Sequence, residues 1–158
     1  MHVATVTIDN TKVSADLTDF PVYIDLSDLP SSFWNTVADG GGDIRVYKSD
    51  GTTELAREVV SCATSTETGE LHVKFSGTLS SSVDTEIQIH ADGTSSDYAV
   101  TATYGRNAVW SGHDAVWHLE GTTDSAGTYD LTNSGATANA TGKIGDAYDF
   151  GGDAEDDY

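Results

Sequence analysis

Acidic side chains are the residues of this chain best suited to chemistry, and four of them lie close together near its end. Asp149, Asp153, Asp156 and Asp157 stand in a glycine-rich tail, where they supply the hard oxygen ligands that Ca²⁺ prefers. The twelve-residue loop pattern of an EF-hand is missing, and acidic tails are commonly solvated. Calcium is therefore the one cofactor that the sequence suggests, with a solvated tail as the alternative.

A second acidic group lies in the loop from Asp39 to Asp43, which encloses three consecutive glycines. Their oxygens also suit calcium, and glycines of this kind occur in phosphate-binding loops. A phosphate loop follows a strand and precedes a helix, whereas here an alternating strand pattern comes after the loop. We therefore predict a structural role for Asp39 and Asp43.

The three tryptophans are the candidate ligand-binding residues. Trp34, Trp110 and Trp117 would stack on sugar rings if their indoles face solvent, while buried indoles would act as apolar plugs, which is the commoner use. Trp110 and Trp117 are seven residues apart, and Gly112 between them argues against a continuous helix. We predict a linker that leads into a strand from Ala115 to Leu119, with the tryptophans as plugs.

Patterns typical of an enzyme are missing from the sequence. A glycosidase of the lectin-like class places two carboxylates on one strand face, but Glu70, Glu86 and Glu120 fall on separate predicted elements. The five histidines have no nucleophile-elbow sequence around them. His113 and His118 are spaced for neither one helix face nor one strand face. We expect a protein that is not an enzyme.

Charge restricts the partners. Seven basic residues face 26 acidic ones, which gives a net charge of -19. Nucleic acid and anionic membrane surfaces both require a local excess of lysine and arginine, so neither is an expected partner. No stretch is long and apolar enough for membrane insertion. The single cysteine, Cys62, excludes an internal disulfide, so stability is expected from packing or from assembly.

The first residues indicate where the protein works. Met1 to Val3 run directly into alternating strand residues, without the basic start and apolar block of a signal peptide. A β protein without disulfides or export signal fits a virion protein that leaves the cell by lysis. The alternative is an extracellular or cell-surface location as part of a longer chain.

Alternating apolar residues predict the elements that position these side chains. The predicted strands are His2–Ile8, Val22–Leu26, Asp43–Lys48, Glu54–Val60, Glu70–Phe75, Asp84–Ala91 and Tyr98–Tyr104. A short helix from Phe33 to Val37, capped by Ser31 or Ser32, is predicted to plug an open end of the core. On the strands, we expect Arg45, Arg57 and Glu58 to pair across the ladder on a solvated face, where such pairs contribute little stability.

Seven strands before Tyr104, spaced eight to twelve residues apart, predict an all-β protein. The expected architecture is an antiparallel β-sandwich of the jelly-roll or immunoglobulin-like kind with a short helical plug. Residues 1–103 would form this sandwich, residues 104–119 a tryptophan-containing junction, and residues 120–158 a partial β extension with an acidic tail.

Four segments carry a resemblance to a known family. The runs VSADLTDFPVYIDLSDL, GGGDIRVYKSDGTTELAREV and GELHVKFSGTLSSSVDTEIQIHA resemble the body of the domain of unknown function 2341 family. The later run YGRNAVWSGHDAVWHLEGTTDSAGTYDLTNSGATANATGKIGDAYDFGG resembles the point where that domain leads into a LamG-like, concanavalin A-type lectin domain. A whole lectin sandwich requires a longer chain, so the C-terminal part would be an incomplete LamG-like extension.

The resemblance implies a non-catalytic β unit of the kind found in secreted, cell-surface and phage virion proteins, and it brings no catalytic residues. We expect a structural or interaction protein on a virion surface, such as a capsid decoration, head-fibre or tail component. Its expected partners are further copies of itself or other virion or surface proteins, because unfinished sheets have unpaired edges. The alternative is a carbohydrate-binding or adhesion module that binds a host glycan.

Overall fold

Strand structure forms at six of the seven places where alternation predicts it before Tyr104. The computed structural model describes residues 1–142 and 146–151. Its strands are β1 (His2–Ile8), β2 (Leu17–Asp25), β3 (Arg45–Lys48), β4 (Glu54–Ala63), β5 (Thr68–Leu79), β6 (Thr85–Ala91), β7 (Thr137–Thr141) and β8 (Asp146–Asp149). Two short helices, α1 (Ser31–Trp34) and α2 (Arg106–Trp110), and two 3₁₀ turns, Asn10–Lys12 and Leu26–Asp28, complete the elements.

The first six strands form one curled sheet in the order β1-β6-β3-β4-β5-β2. Every neighbouring pair in it is antiparallel. The long strand β4 connects the two parts of the sheet, because Glu54 and Leu55 pair with β3 while Ala56 to Ala63 pair with β5. The all-β prediction is confirmed, and the arrangement as two facing layers of a sandwich stays a prediction.

The chain divides into two compact units, residues 1–109 and residues 110–158. The division falls inside the segment predicted as a junction. The first unit contains the curled sheet, and the second contains the antiparallel hairpin of β7 and β8. Among the described residues, no helix has the length and apolar character needed to cross a bilayer.

The core of the first unit lies on the inner face of the curled sheet. Residues at every second position are buried, as the alternation predicts: Ala4 on β1, Leu71 and Val73 on β5, and Ile87 and Ile89 on β6. Ordinary strand pairing brings these rows together, so that apolar area is removed from water along the whole sheet.

The predicted helical plug is present with shifted bounds. Helix α1 begins at Ser31, two residues before the predicted start, and Pro30 occupies the N-cap position without a side-chain cap. The prediction that Ser31 or Ser32 caps the helix is therefore wrong, because proline already supplies a backbone angle compatible with helix entry. Phe33 and Trp34 are buried and meet edge to face at 5.3 Å between ring centroids.

Two predicted strands are replaced by turns. Residues 98–104 form no strand, because Ala102 and Gly105 donate backbone hydrogen bonds within the segment and Tyr104 accepts one from the Arg57 N–H. A Cβ atom at Gly105 would clash with the carbonyl oxygen of Ala99, so the turn requires glycine. The predicted strand from Ala115 to Leu119 reduces to one bridge between Trp117 and Asp124.

Arg57 corrects a prediction about charge. Its side chain is on the buried face and only 2% exposed, not on a solvated face. Nε donates to the Ile44 carbonyl at 2.9 Å, and the terminal nitrogens donate to the Gly42 carbonyl and to the Asp97 carboxylate at 2.7 Å. A buried guanidinium is tolerated only when its donors are satisfied, and these contacts satisfy it.

Asp43 is the acidic counterpart of this arrangement. Its carboxylate is 1% exposed and accepts three backbone N–H groups, from Ala38 at 3.0 Å, Asp92 at 3.0 Å and Gly93 at 2.6 Å. These bonds connect the glycine loop to the turn after β6. The geometry is that of a structural carboxylate whose lone pairs are occupied by the backbone, as the position of the loop before a strand predicts.

Replacement of this carboxylate should destabilise the first unit. Asp43→Ala leaves three part-buried backbone N–H groups without their acceptor, so we expect the free energy of unfolding to fall by about 3 kcal/mol. The matched control is Asp39→Ala, because Asp39 is exposed and its carboxylate accepts, among the described residues, from Thr64. This substitution should lower the free energy of unfolding by about 1 kcal/mol or less. Urea denaturation of both variants measures the difference, and equal losses would contradict the role given to Asp43.

Candidate functional site

The curled sheet ends at two strands with one unpaired side each. Within the described residues, β1 pairs with β6 alone and β2 with β5 alone. A groove of about 450 Å³ lies between these two edge strands. We call this groove the seam. Its volume is within the range of about 300–1,000 Å³ that ligand-binding clefts occupy.

Residues from both faces of both strands line the seam. From β1 come the inward-facing Val6 and Ile8 and the exposed Thr5 and Thr7. From β2 come residues 22–25, of which Val22 and Ile24 face inward and Tyr23 and Asp25 outward. Because both faces contribute, the groove follows the backbone edges of β1 and β2. It is a gap between the two edge strands of the curled sheet.

The two ends of the seam carry charge. Asp25 and Asp28 lie where β2 ends, and Asp9 and Lys12 lie just after β1. A hydrogen bond from the Ser27 hydroxyl lowers the pKa of Asp25, and one from the Thr11 hydroxyl lowers the pKa of Asp9. Both carboxylates are therefore ionised at neutral pH. With three carboxylates and one lysine, the described lining has a net charge of -2.

The three tryptophans have different environments. Trp34 is 4% exposed and packs in the core of the first unit, so its indole presents no face to a sugar. Trp110 is half-buried and lies edge to face against His113 at 5.6 Å and His118 at 6.0 Å. Trp117 is 40% exposed, which leaves it as the tryptophan with the most accessible indole.

An exposed aromatic pair forms around Trp117. Its indole N–H donates to the carbonyl of Tyr129 at 2.8 Å, and Tyr129 is itself 66% exposed. The hydrogen bond fixes the orientation of the indole. Aromatic side chains that are exposed and held in place are suited to contact with another molecule.

Asp124 organises the loop that carries this pair. Its buried carboxylate accepts backbone N–H groups from Val116 at 2.8 Å, Ala126 at 2.9 Å and Tyr129 at 3.1 Å. These bonds lower the pKa of Asp124 below its ordinary value of 3.8, and the bond from the Val116 N–H has the largest effect. The backbone N–H of Asp124 donates in turn to Asp130. One carboxylate thus holds together residues 116–130.

The surroundings of His118 and of Cys62, two side chains of a type used in catalysis, are those of structural residues. His118 Nδ1 lies 3.0 Å from the Ser125 hydroxyl, but Ser125 is buried beside the Asp124 loop. Cys62 is buried on β4, and burial raises the pKa of its thiol to about 11. A thiol with a raised pKa is a poor nucleophile at neutral pH.

The predicted calcium ligands are only partly within the described chain. Asp149 lies on β8 and accepts the backbone N–H of Gly151 at 2.9 Å. Asp153, Asp156 and Asp157 lie outside the described residues. Over residues 1–142 and 146–151, no three histidine, cysteine, aspartate or glutamate side chains converge in a way that would hold a metal ion.

Sequence reasoning did not find the seam or the role of Asp124. In the sequence, Pro21 indicates that β2 lies at a sheet edge, because proline cannot donate to a neighbouring strand. The run of aspartate, serine, alanine and glycine that begins at Asp124 is typical of a side chain that binds the backbone of its own turn. Neither pattern indicates which distant elements meet.

Comparisons with known proteins identify no relative. No family model matches the chain, and neither the curated proteins nor the solved structures include a significant match. The resemblance to the domain of unknown function 2341 family and to LamG-like domains therefore stays a prediction.

The Asp124 loop should loosen in acid. Because the folded-state pKa is lowered, this carboxylate contributes stability above pH 3.8, and the contribution is lost as the pH falls through the folded pKa. We expect the indole N–H resonance of Trp117 to shift below pH 3.8 in the native chain. In Asp124→Asn the shifted position should already be present at pH 6, while the control Asp114→Asn should titrate like the native chain. A native-like Asp124→Asn resonance at pH 6 would contradict this role.

Proposed function

We propose that this chain is a non-enzymatic structural and interaction protein displayed on a surface, most simply a phage virion protein. A capsid decoration, head-fibre or tail component would meet this description. In that role the chain self-associates or docks on a lattice of other proteins. The proposal rests on the resemblance of the sequence and on one structural observation, the seam between two edge strands.

The seam supports this proposal because edge strands are sites of association. A strand edge presents a row of backbone donors and acceptors, and proteins that remain monomeric usually cover or disrupt such edges. Here both edges border one groove with an apolar floor. Addition of a strand at an edge is a common mode of protein recognition, so the geometry suits contact with another chain.

The surface charge is compatible with such a role. A net charge of -19 keeps separate copies soluble through mutual repulsion. It also favours association with a surface of opposite charge, and this attraction weakens as salt is added. Both properties suit a protein that docks on a preformed lattice of opposite charge.

Particle fractionation tests the proposed function. Virions purified on density gradients from the source of this chain should contain it in a fixed ratio to the other structural proteins, as measured by quantitative mass spectrometry, because a lattice component occupies a fixed number of sites. Immunogold labelling should place the chain on the particle exterior. Recovery of the chain only in the soluble fraction, with monomeric sedimentation at all concentrations, would overturn the proposal.

A second candidate function is a carbohydrate-binding or adhesion module, and the exposed aromatic pair favours it. Trp117 and Tyr129 are both exposed, and the indole is fixed by its hydrogen bond to the Tyr129 carbonyl. A fixed, solvent-facing indole is the arrangement that stacks on a sugar ring at little entropic cost.

Glycan-array binding tests this second function. If the chain binds a glycan through this pair, Trp117→Ala should weaken binding by about tenfold or more, because the stacking surface is removed. Phe20→Ala is the matched control, since Phe20 is 44% exposed but belongs to β2 and lies outside the lining of the seam. Absence of binding to the array, or equal effects of the two substitutions, would count against a glycan ligand.

A further inference from the structure

We propose that the seam accepts an extended segment of a different protein, with apolar side chains at every second position and lysine or arginine at one end. This inference rests on the proposed function, because it names the kind of partner through which the chain docks. The segment would lie between β1 and β2 and add a strand to the curled sheet. We call it the guest strand.

Backbone chemistry favours a strand over a small apolar ligand. The edges of β1 and β2 that border the seam carry peptide groups which no neighbouring strand of the described chain satisfies. Exclusion of water from these groups requires another hydrogen-bonding partner. An extended peptide supplies donors and acceptors at the spacing of the strand, whereas an apolar small molecule would leave them unpaired.

Pro21 shows which part of β2 is open to pairing. Proline has no backbone N–H, so within a strand its nitrogen belongs on the unpaired side. Pro21 therefore obstructs pairing at its own position. The lining of the seam begins at the next residue, Val22, and continues to Asp25, so the seam starts where the obstruction ends.

The floor of the seam specifies alternating apolar residues in the guest strand. Val6, Ile8 and Val22 pack against the core but remain partly exposed. Side chains of a strand point alternately to the two faces of a sheet. Every second residue of the guest strand would therefore cover this floor, and the intervening residues would join the exposed row of Thr5 and Thr7.

Length and charge complete the description. The lining takes four consecutive residues from each strand, Thr5–Ile8 and Val22–Asp25, which corresponds to about 13 Å of extended chain at about 3.3 Å per residue. Asp25 and Asp28 lie at one end of the seam, while Lys12 offsets Asp9 at the other. A basic residue at the Asp25 end would be attracted, and an acidic one repelled.

Charge also argues for a different protein over a second copy. A second copy brings the same excess of 19 negative charges to a seam whose described lining is already acidic. Like charges brought together at an interface oppose association. A segment with a basic end has the complementary charge.

Synthetic peptides test the proposal on the full chain. The probe is an eight-residue peptide of alternating valine and threonine that ends in two lysines. The first control has glutamates in place of the lysines, and the second has proline at a central valine. We expect the basic peptide to bind about tenfold or more tightly than either control, as measured by fluorescence anisotropy, with weaker binding at high salt.

Variants of the chain locate the binding site. Thr5 is exposed and lines the seam toward its Asp25 end, because β1 and β2 run in opposite directions, so Thr5→Lys should weaken binding of the basic peptide by about tenfold through repulsion. Thr78→Lys makes the same change in charge on an exposed residue of β5 outside the seam lining, and it should leave the affinity within about twofold of the native value. Hydrogen exchange should show protection of β1 and β2 amides by the basic peptide alone.

Each remaining outcome overturns the proposal. These outcomes are absence of binding by the basic peptide at about 1 mM, equal binding of the acidic peptide, and equal effects of Thr5→Lys and Thr78→Lys. A dimer that is lost in Thr5→Lys would assign the seam to a second copy instead. A chain that still docks on particles when Thr5→Lys is present would retain the proposed function while losing the seam as its means of docking.

Discussion

The buried guanidinium of Arg57 is the interaction on which the first unit depends. It lies on the inner face of β4, the strand that connects the two parts of the curled sheet. From there it donates to the carbonyls of Gly42 and Ile44 and pairs with Asp97. A buried charge is stable only while its partners stay in place. The loop before β3 and the segment after β6 are therefore held by the same side chain.

Asp43 lies between the two carbonyls that Arg57 binds, and it extends the constraint to the far side of the loop. Its carboxylate fixes the backbone of Ala38, Asp92 and Gly93. Together the two residues position the start of β3, the shortest strand of the six-stranded sheet. A strand of four residues forms few backbone hydrogen bonds with its neighbours. The polar contacts at its start compensate for this small number.

The sequence predicts the strands well because each strand has its own local pattern. The alternation in β1 gives its bounds and its buried face without reference to any other residue. The same local reasoning fails for residues 98–104, where the backbone N–H of Arg57, more than forty positions earlier, donates to the Tyr104 carbonyl at the end of a turn. It also fails for β7, whose small residues carry no apolar alternation. The turn at residues 98–104 is determined by a distant partner, whereas β7 forms by pairing with the next strand, β8.

The candidate site was hardest to predict for the same physical reason. The seam exists because β1 and β2, the first two strands of the chain, end up at opposite edges of the sheet. Strand order is a property of the whole fold, and the alternation of apolar residues within each strand does not predict it. Trp34, Trp110 and Trp117 look alike in sequence but differ in burial, because exposure depends on what packs over each indole. Charge, in contrast, is read directly from composition.

The alternating directions of the six strands give the seam a polarity. With an even number of antiparallel strands, β1 and β2 run in opposite directions along the gap between them. A strand placed in the gap must be parallel to one border and antiparallel to the other, and these two ladders differ in the slant of their hydrogen bonds. The two orientations of an incoming chain are therefore inequivalent. A strand held in one of these orientations would leave the gap at one defined end.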